Sequence, residues 1–545
     1  MRVVLFVFAA SAVFAQQPVL YQRGTVNAAS LAPFGLPNAP IARGSVFSVF
    51  GEKLGPAQSP ALAFPLSSTL GGVSIGVTQG GVTTPVYPIF VSPSQINAIM
   101  PSTVSAGLAT LRLTYLTNKS NAIAIQIANS APGIFAASSG GFGPGIVQNY
   151  VSATIQPINS LAAPTAPGQI VTIWGTGLGP VTFPDNVAPT VGNVAAPVTV
   201  TIGGQSAAIA YSGRTPCCAG VDQIVATVPD SAPLGCWVPV SIKAGGVVSN
   251  TTTMAIGAAG ATSCSDPGNP LSALVRAPGT QAFIHIDIVD AIENVNTATP
   301  STKTLQQVYS RFYTRPDSPY NFDPYMSHPP SGTCLVHQTS GDASLTLSLR
   351  GTLPASASLS PQPHQTYYNG TQSLNSSTTN STYASIVGGT IDATPFGLNP
   401  LSAGASFTID PGGALPVVLA INPEPPPAWA RPNTILAVPR NAPLSLTFTP
   451  GDAAAPTAIL LYAYSAATNS TVEVQCLAAP GAGAFTISAD TLANLPASQK
   501  AIDGSYANLY IGTLGVNRAI SFTNSFAANG ILLNSSWLSR SVVLQ

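Results

Sequence analysis

An all-β fold built of tandem β-sandwiches is the architecture that this sequence predicts, and three observations predict it. Charged residues make up 7% of the 545 residues, against about 25% in ordinary soluble domains, so helices would lack their usual solvated face. The 49 Gly and 51 Pro favour many short strands joined by turns. A segment of domain length is also repeated along the chain. At about 100–200 residues per domain, the length predicts about three to five domains.

Residues 1–15 have the pattern of a secretory signal peptide. Arg2 gives a positive start, and residues 3–13 form an apolar run of signal-core length. We expect cleavage after Ala15, so that the mature chain begins at Gln16. A buried strand or a membrane anchor is the alternative, but the run is shorter than the about 20 apolar residues of a spanning helix. No transmembrane segment is expected after the signal peptide, because no later stretch is apolar for about 18 residues.

A duplication supports the division into domains. Residues 44–56 read GSVFSVFGEKLGP and residues 168–180 read GQIVTIWGTGLGP, an offset of 124 (168 − 44). Further on, QI at 95–96 matches QI at 223–224, an offset of 128 (223 − 95). Because the period is that of a whole domain, the repeat predicts two similar domains in tandem rather than a solenoid.

Each repeat has the pattern of a series of strands. Apolar residues alternate in segments such as 73–77 and 198–202, and turn signals separate such segments about every ten residues, as in a β-sandwich. We therefore place domain 1 at residues 24–133, a connector at 134–158 and domain 2 at 159–257.

The same two regions resemble an uncharacterised family of secreted bacterial proteins, of acidobacterial type, with tandem immunoglobulin-like modules of the IPT/TIG kind. The resemblance rests on NAAS at 27–30, QINA at 95–98, APGIF at 131–135 and GVDQI at 220–224, and it covers residues 24–257. It implies tandem immunoglobulin-like β-sandwiches that act outside the cell. The family has no assigned catalytic residues, so the resemblance implies no reaction.

The second half of the chain predicts a further β-sandwich region. Residues 258–330 have the composition of a linker and connector, with a strand at 281–290 and a short helix at 301–313 capped by Ser301 or Thr302. Residues 331–545 are interpreted as a C-terminal β-sandwich domain. Its predicted strands are the alternating segments 344–351, 445–450, 459–464 and 472–477, and residues 365–385 predict an exposed loop.

Six cysteines, an even number, agree with export to an oxidising compartment. We expect disulfides that involve Cys217, Cys218, Cys236, Cys264, Cys334 and Cys476. Local spacing pairs the first four among themselves and leaves Cys334 with Cys476. Adjacent Cys217 and Cys218 cannot easily bond to each other without backbone strain, so each is expected to pair with one of Cys236 and Cys264. The alternative, a metal site, needs C-x-x-C-type spacing that this sequence lacks.

Two sequence patterns that could indicate catalysis or phosphate binding are better explained as structure. Ser74 lies in a G-x-S-x-G pattern, but a nucleophile elbow needs a following helix, and Ser74 sits within an alternating strand. The glycine-rich segments 140–145 and 175–179 also lack the helix that a phosphate loop requires. We therefore expect turns at these glycines and no cofactor.

Histidines and acids offer weaker candidates. His285 and Asp287 would share one face of a strand, where they could hold a metal or pair a base with an acid, although a plain polar face is more common. His328 and His337 flank Cys334, which is better assigned to a disulfide. Two distant carboxylates, as glycoside hydrolysis uses, would leave no local pattern. No metal ligand and no catalytic residue is therefore predicted.

The candidate binding surface is an aromatic and arginine cluster between the predicted domains, namely Tyr309, Arg311, Tyr313, Tyr320 and Tyr325. Such enrichment is typical of recognition surfaces, and packing of the connector against its neighbours is the alternative. Nucleic acid is not expected as a partner, because the net charge is zero and the 18 basic residues are spread thinly.

Together these features predict a secreted, non-catalytic extracellular or cell-surface protein with an adhesion, scaffold or binding role through its immunoglobulin-like modules. Its partner would be an extracellular protein or a glycan. The alternative is a glycan-active hydrolase or a carbohydrate-binding accessory protein with its site in residues 281–545. A deep cleft that joins two acids, or a His and an acid, would favour the hydrolase.

Overall fold

The computed structural model shows an all-β chain, as predicted, folded into three successive β-units. The residues that the structure describes are 17–269, 271–293, 301–315, 317–324, 326–340, 358–362, 373–374, 390–392, 406–410, 417–420, 424–430, 436–497, 506–522 and 529–545. Within them, the helices are α1 (Ser272–Arg276), α2 (Ala489–Leu492) and a 3₁₀ helix (Gly515–Arg518). No helix in this part of the chain is long and apolar enough to cross a membrane.

The first unit is a sandwich of two sheets, which are antiparallel except where β2 pairs with β10 in parallel. Its strands are β1 (Val19–Asn27), β2 (Ile41–Ala42), β3 (Val46–Glu52), β4 (Thr69–Leu70), β5 (Val73–Gln79), β6 (Val82–Pro85), β7 (Tyr87–Val91), β8 (Gln95–Ile99), β9 (Gly107–Tyr115) and β10 (Asn118–Ala128). One sheet has the order β1-β3-β8-β7, and the other has the order β2-β10-β9-β5-β4 with β6 beside β5. Apolar side chains from both sheets, such as Phe47, Ile96 and Leu111, share one core.

The second unit folds around a core of its own. Its strands are β11 (Gly133–Ile134), β12 (Val147–Asn149), β13 (Ile170–Thr176), β14 (Gly192–Asn193), β15 (Val198–Ile202), β16 (Gln205–Arg214), β17 (Asp222–Thr227), β18 (Gly235–Ala244), β19 (Val247–Val248) and β20 (Thr252–Ile256). The strand order is β11-β13-β17-β16-β15-β18-β19. β16 pairs with β15 near its start and with β17 further on. Ile173, Ile224 and Val240 are among the side chains of the core.

The register of the strands confirms the internal repeat. In the first unit Val49 pairs with Ile96, and in the second unit Ile173 pairs with Ile224. The offsets are 173 − 49 = 124 and 224 − 96 = 128, the values that the sequence repeat gives. The glycines that begin the two repeats, Gly44 and Gly168, have φ of 73° and 78°, a conformation that glycine adopts without steric cost.

The third unit is built on a ten-stranded sheet. Its strands, with those of two smaller sheets, are β21 (Gly279–Glu293), β22 (Ser301–Arg315), β23 (Thr333–Ser340), β24 (Ser358–Gln362), β25 (Ser373–Leu374), β26 (Thr390–Asp392), β27 (Ser406–Asp410), β28 (Val417–Ala420), β29 (Leu436–Val438), β30 (Leu444–Thr447), β31 (Thr457–Ser465), β32 (Ser470–Ala478), β33 (Ala484–Ile487), β34 (Tyr506–Thr513), β35 (Ile520–Phe522) and β36 (Asn529–Leu544). The main order is β23-β32-β31-β34-β36-β21-β22-β26. The predicted strands at 445–450, 459–464 and 472–477 correspond to β30, β31 and β32. Residues 344–351 lie outside the described residues, as does 365–385 apart from β25.

Two expectations about the connecting segments differ from the structure. The proposed connector at 134–158 contributes β12, which pairs with β13, so it belongs to the second unit. The helix expected at 301–313 is wrong, because these residues lie in β22 and pair with β21 along fifteen positions. Their Thr, Val, Tyr and Phe content suits a strand, and this long-range pairing outweighs the local capping signal. The short helix of the region is α1, at Ser272–Arg276.

The disulfides correct one prediction. Cys334 and Cys476 are bonded, as predicted, and lie opposite each other on β23 and β32. Cys236 bonds to Cys264, and Cys217 bonds to Cys218. The expectation that Cys217 and Cys218 each pair with one of Cys236 and Cys264 is therefore wrong. The fold separates the pairs, because Cys236 and Cys264 belong to a buried cluster with Trp237 between the second and third units. All six cysteines are paired, which is compatible with an extracellular protein.

Candidate binding cleft

An open cleft of about 600 Å³ lies on the outward face of the sheet that contains β5, β6, β9 and β10. This volume is within the range of about 300–1,000 Å³ for small-ligand sites. The polar side chains that line the cleft are Ser68, Ser74, Thr78, Thr83, Thr110, Arg112, Thr114 and Lys119. Because six of these eight carry a hydroxyl group, we call this concavity the hydroxyl cleft.

Strand alternation places these side chains outward. Val73, Ile75 and Val77 on β5 are buried, and Leu111 and Leu113 on β9 are buried opposite the second sheet. Successive side chains of a strand point to opposite faces. The intervening Ser and Thr residues of both strands therefore face solvent as a consequence of the core pattern, and their positions are fixed by the sheet.

The register of β5 and β9 brings the hydroxyl groups into facing pairs. Ser74 lies opposite Thr114, and Thr78 lies opposite Thr110. Thr78 also shares a hydrogen bond of 2.8 Å with Thr83 on β6. Because the backbone of the sheet supports each pair, the hydroxyl groups form a pre-organised surface.

A glycine leaves room at the centre of this surface. Gly76 lies opposite Arg112, and a Cβ at position 76 would lie 2.7 Å from Cγ2 of Thr83. A side chain at this position would therefore disturb the β5–β6 hairpin and fill the middle of the cleft. In the sequence, Gly76 is the last residue of the G-x-S-x-G pattern around Ser74. In the structure Ser74 lies in β5, which continues through a turn into β6, so no nucleophile elbow is present at this position.

The cleft carries two positive charges that are not neutralised locally. Arg112 and Lys119 are exposed, and the ion pairs among the described residues are Arg214–Asp222 and Lys243–Asp490. Residues 17–133 contain five basic residues and one acid, Glu52, a net charge of 5 − 1 = +4. The neutral chain thus has a basic first unit. The zero net charge of the whole sequence gives no sign of this basic unit, which becomes apparent when charges are counted for each domain separately.

A second, smaller cleft contains a histidine and a carboxylate. His337 on β23 lies opposite Glu473 on β32, and its ring meets the ring of Phe142 edge to face at 4.5 Å. Burial lowers the pKa of His337 to about 4, so the imidazole is neutral at pH 7. Its Nε2 is shielded from solvent and has no hydrogen-bond partner among the described residues. The free volume of this His337 cleft is about 20 Å³, which suits a water molecule.

The other predicted metal and catalytic candidates are not brought together. His328 is buried, and its Nδ1 lies 2.8 Å from Nε2 of Gln475. Cys334 is in a disulfide, so it is not a ligand. His285 and Asp287 are in β21, but their side chains lie outside the described residues. Among the residues that the structure describes, no group of three His, Cys, Asp or Glu side chains could hold a metal ion.

Of the five side chains of the predicted aromatic surface, the structure describes that of Tyr320. Tyr309, Arg311 and Tyr313 are in β22, and their side chains lie outside the described residues, as does Tyr325. Tyr320 is partly buried in a turn, where its amide donates to Ser318. The proposed surface therefore stays a prediction.

A buried cation fastens the first two units together. Arg214, at the end of β16, donates from Nη1 to Asp222 and from Nη2 to the carbonyl groups of Gly44, at 2.6 Å, and Gly179, at 3.0 Å. Burial lowers the pKa of Arg214 to about 10, opposed by the charge of Asp185, so the side chain stays protonated at neutral pH. Asp222 also accepts a 2.9 Å bond from the amide of Leu178. We call this group the Arg214 clasp.

Further hydrogen bonds cross the same boundary and connect the third unit. Thr176 accepts from the amide of Val46 at 2.9 Å, and Ser102 donates to Asp185 at 2.8 Å. Arg23 of the first unit donates to the carbonyl group of Thr468 in the third unit at 2.8 Å. The three units are therefore packed against one another through specific polar contacts.

Solved structures that are similar to this chain contain tandem domains. A tetra-tandem repeat from the extending region of a large adhesion protein is 11% identical, with coverage of 91% of this chain and 96% of that one and a TM-score of 0.14. Domains 5–6 of the S-layer protein SbsC are 15% identical, with coverage of 44% and 99% and a TM-score of 0.16. The plexin A4 extracellular region is 14% identical, with a TM-score of 0.15. The match covers 42% of this chain and 17% of the plexin chain. These TM-scores are low, so the similarities carry no argument about function. No family model and no curated protein matches the sequence.

Proposed function

We propose that this protein is a secreted, non-catalytic binding protein that attaches to an extracellular glycan through the hydroxyl cleft of its first unit. The observation that carries the proposal is the set of facing hydroxyl pairs, Ser74 with Thr114 and Thr78 with Thr110. A hydroxyl group both donates and accepts hydrogen bonds, so this surface complements a ligand whose own polar groups are mainly hydroxyls.

The lining of the cleft favours a glycan over a protein partner. Protein interfaces concentrate their binding energy in buried Trp, Tyr and Arg anchors. The described residues that line the hydroxyl cleft include no aromatic side chain, and their larger apolar members are Ile75 and Pro85. A chain rich in hydroxyl groups can instead be held by hydrogen bonds to the Ser and Thr side chains of the cleft. This placement differs from the alternative that the sequence suggested, which located carbohydrate binding in residues 281–545.

The packing of the units supports a scaffold role beside the binding role. The Arg214 clasp is buried. Its bond to Gly44 fixes the first unit against the second, and its bond to Gly179 anchors the same cation within the second unit. A binding face carried on such an array is held at a fixed distance and orientation from the rest of the chain. The disulfides and the predicted signal peptide agree with an extracellular location of the protein.

The His337 cleft supports a hydrolase less well than the hydroxyl cleft supports glycan binding. A glycosidase needs two carboxyl groups across the scissile bond, about 5–10 Å apart. The described lining of the His337 cleft includes one carboxylate, Glu473, and its free volume of about 20 Å³ is that of a water site rather than of a sugar ring.

A glycan-binding measurement tests the proposal. Mature protein from Gln16 is applied to immobilised extracellular polysaccharides, beside a variant that carries Ser74→Ala, Thr110→Val and Thr114→Val. We expect the native protein to bind and the variant to lose most of that binding. Thr486→Val, which removes an exposed hydroxyl from β33 of the third unit, is the matched control. Equal binding by all three proteins, or release of new reducing ends from the bound polysaccharide, would overturn the proposal.

A further inference from the structure

We infer that the ligand of the hydroxyl cleft is an acidic polysaccharide whose carboxylate groups pair with Arg112 and Lys119. This inference rests on the proposed function, because it names the ligand class of the same cleft. The cleft combines six hydroxyl side chains with two cations, and a uronate polymer combines sugar hydroxyls with regularly spaced carboxylates.

The two cations are placed on either side of a hydroxyl group. Lys119 on β10 lies opposite Thr114 on β9, and Arg112 is the next residue along β9 on the same face as Thr114. Residues two apart on a strand are separated by about 7 Å, and diagonal neighbours on adjacent strands by about 7–8 Å. The spacing lets one extended chain meet both cations while Thr114 contacts a hydroxyl between them.

Arg112 has the geometry and the freedom to bind a carboxylate. Its side chain is exposed, and Gly76 opposite it leaves space above the sheet. Guanidinium and carboxylate groups form paired, parallel hydrogen bonds. In the part of the chain that the structure describes, neither Arg112 nor Lys119 takes part in the two ion pairs, so binding breaks no existing ion pair.

The distribution of charge favours an anion at this unit and disfavours it elsewhere. Residues 17–133 have a net charge of +4 (five basic residues and one acid). Residues 134–545 have 12 basic and 17 acidic residues, a net charge of −5. An anionic chain is therefore attracted to the first unit and repelled by the remainder, an effect that salt screens over about 8–10 Å.

Nucleic acid is the other polyanion to consider, and the cleft does not fit it. Proteins that hold single strands stack bases on aromatic side chains, and duplex binders neutralise several phosphates with as many cations. The described lining of the cleft has two cations and no aromatic ring. Its hydroxyls instead match the many hydroxyl groups of a polysaccharide.

The test compares three uronate polymers, polygalacturonate, alginate and hyaluronate, with the carboxyl-reduced form of each, using the full mature protein at low salt. We expect at least one acidic polymer to bind about ten-fold or more tightly than its reduced, neutral form, since hydrogen bonds to charged groups are stronger than those between neutral groups. Arg112→Gln with Lys119→Gln should remove this preference, and added salt should weaken it. Lys53→Gln, which removes an exposed charge of the same unit outside the cleft, should leave it unchanged.

The outcomes separate this inference from the proposed function. If no acidic polymer is preferred over its neutral form, or if the Arg112 and Lys119 variant keeps the preference, the inference is wrong. The proposed function would survive that result if the hydroxyl-deleted variant still lost binding to a neutral polysaccharide. Preferred binding of single-stranded nucleic acid by the same two cations would also overturn the inference.

Discussion

The Nη2 group of Arg214 donates a 2.6 Å hydrogen bond to the carbonyl group of Gly44, 170 residues earlier in the chain. Gly44 begins the first copy of the sequence repeat, and Arg214 ends a strand of the second copy. The cation is buried together with Asp222. This contact therefore fixes the two repeats against each other through a buried charged side chain, beside the hydrogen bonds of Thr176 and Ser102 across the same boundary.

Replacing Arg214 by Met should strongly destabilise the protein. The substitution leaves Asp222, which is fully buried, without its cation. Removing one partner of a buried ion pair lowers the free energy of unfolding by about 3–5 kcal/mol. Urea unfolding measures the loss. Exposed Arg112→Met is the control and should change the free energy of unfolding by no more than about 0.5 kcal/mol.

A double substitution separates the ion pair from the other roles of the clasp. If Arg214→Met with Asp222→Leu is more stable than Arg214→Met alone, the uncompensated carboxylate causes the loss, as we expect. A single variant that unfolds within about 1 kcal/mol of the native protein would contradict the importance of the clasp.

The sequence was sufficient to predict that the two repeats share one pattern of strands. Alternation of apolar residues is a local property, and the pairs Val49–Ile96 and Ile173–Ile224 follow the two offsets of the repeat. The hydroxyl cleft could not be predicted in the same way. It depends on the register that puts Ser74 opposite Thr114, and register is set by strand pairing between segments about forty residues apart.

Long-range partners also explain the errors. The local pattern of residues 301–313 predicts a helix because it contains no sign of the partner strand β21. In the structure β21 and β22 pair along their whole length. The expected cysteine pairs follow from spacing and from the strain of bonding adjacent cysteines, and neither reports which cysteines the fold brings together. Cys236 and Cys264 are drawn together in a buried cluster by Trp237 and Leu271, and this leaves Cys217 with Cys218.

The disulfides should differ in their effect on stability according to the loops that they close. Cys334 and Cys476 are 142 residues apart, Cys236 and Cys264 are 28 apart, and Cys217 and Cys218 are adjacent. A longer loop loses more unfolded-state entropy when it is closed. Replacing Cys334 and Cys476 by Ala should cost about 2–4 kcal/mol, and replacing Cys217 and Cys218 by Ser less than about 1 kcal/mol.

Urea unfolding of three variants, each lacking both cysteines of one disulfide, tests that order. Peptide mapping without reduction tests the pairing. Mapping should recover Cys334 linked to Cys476 and Cys236 linked to Cys264. A peptide that links Cys217 to Cys236 would contradict the structure, and a larger loss for the adjacent pair than for Cys334 and Cys476 would contradict the entropic argument.

Export should remove the first fifteen residues without harm to the fold. The first strand begins at Val19, and Leu20 is buried in the core of the first unit, with its amide bonded to Asn121 at 2.7 Å. Cleavage after Ala15 thus leaves the whole strand in the mature chain. Expression of the 545-residue chain in a bacterial host, followed by N-terminal sequencing of the exported protein, should give Gln16 as the first residue. A product that begins beyond Leu20, or that keeps Met1, would contradict the assignment.

His337 should make the protein less stable as the pH falls. Burial lowers its pKa to about 4 in the folded state, against 6.5 as its ordinary value, so between these values the unfolded chain binds the proton more readily. Both states are neutral at this position above about pH 7, and the penalty develops as the pH falls through 6.5 and is complete below about 4. Its upper limit is about 3 kcal/mol.

His337→Phe isolates this contribution, because phenylalanine keeps the edge contact with Phe142 and cannot titrate. Between about pH 7 and about pH 4, the native protein should lose more free energy of unfolding than the variant, by up to about 3 kcal/mol. The comparison between the two proteins is essential, since burial raises the pKa of Asp266 to about 6, and protonation of that carboxyl in the folded state works in the opposite direction. The charge of Glu473 opposite His337 is common to both proteins. Parallel pH profiles for the two proteins would show that His337 does not titrate with a lowered pKa.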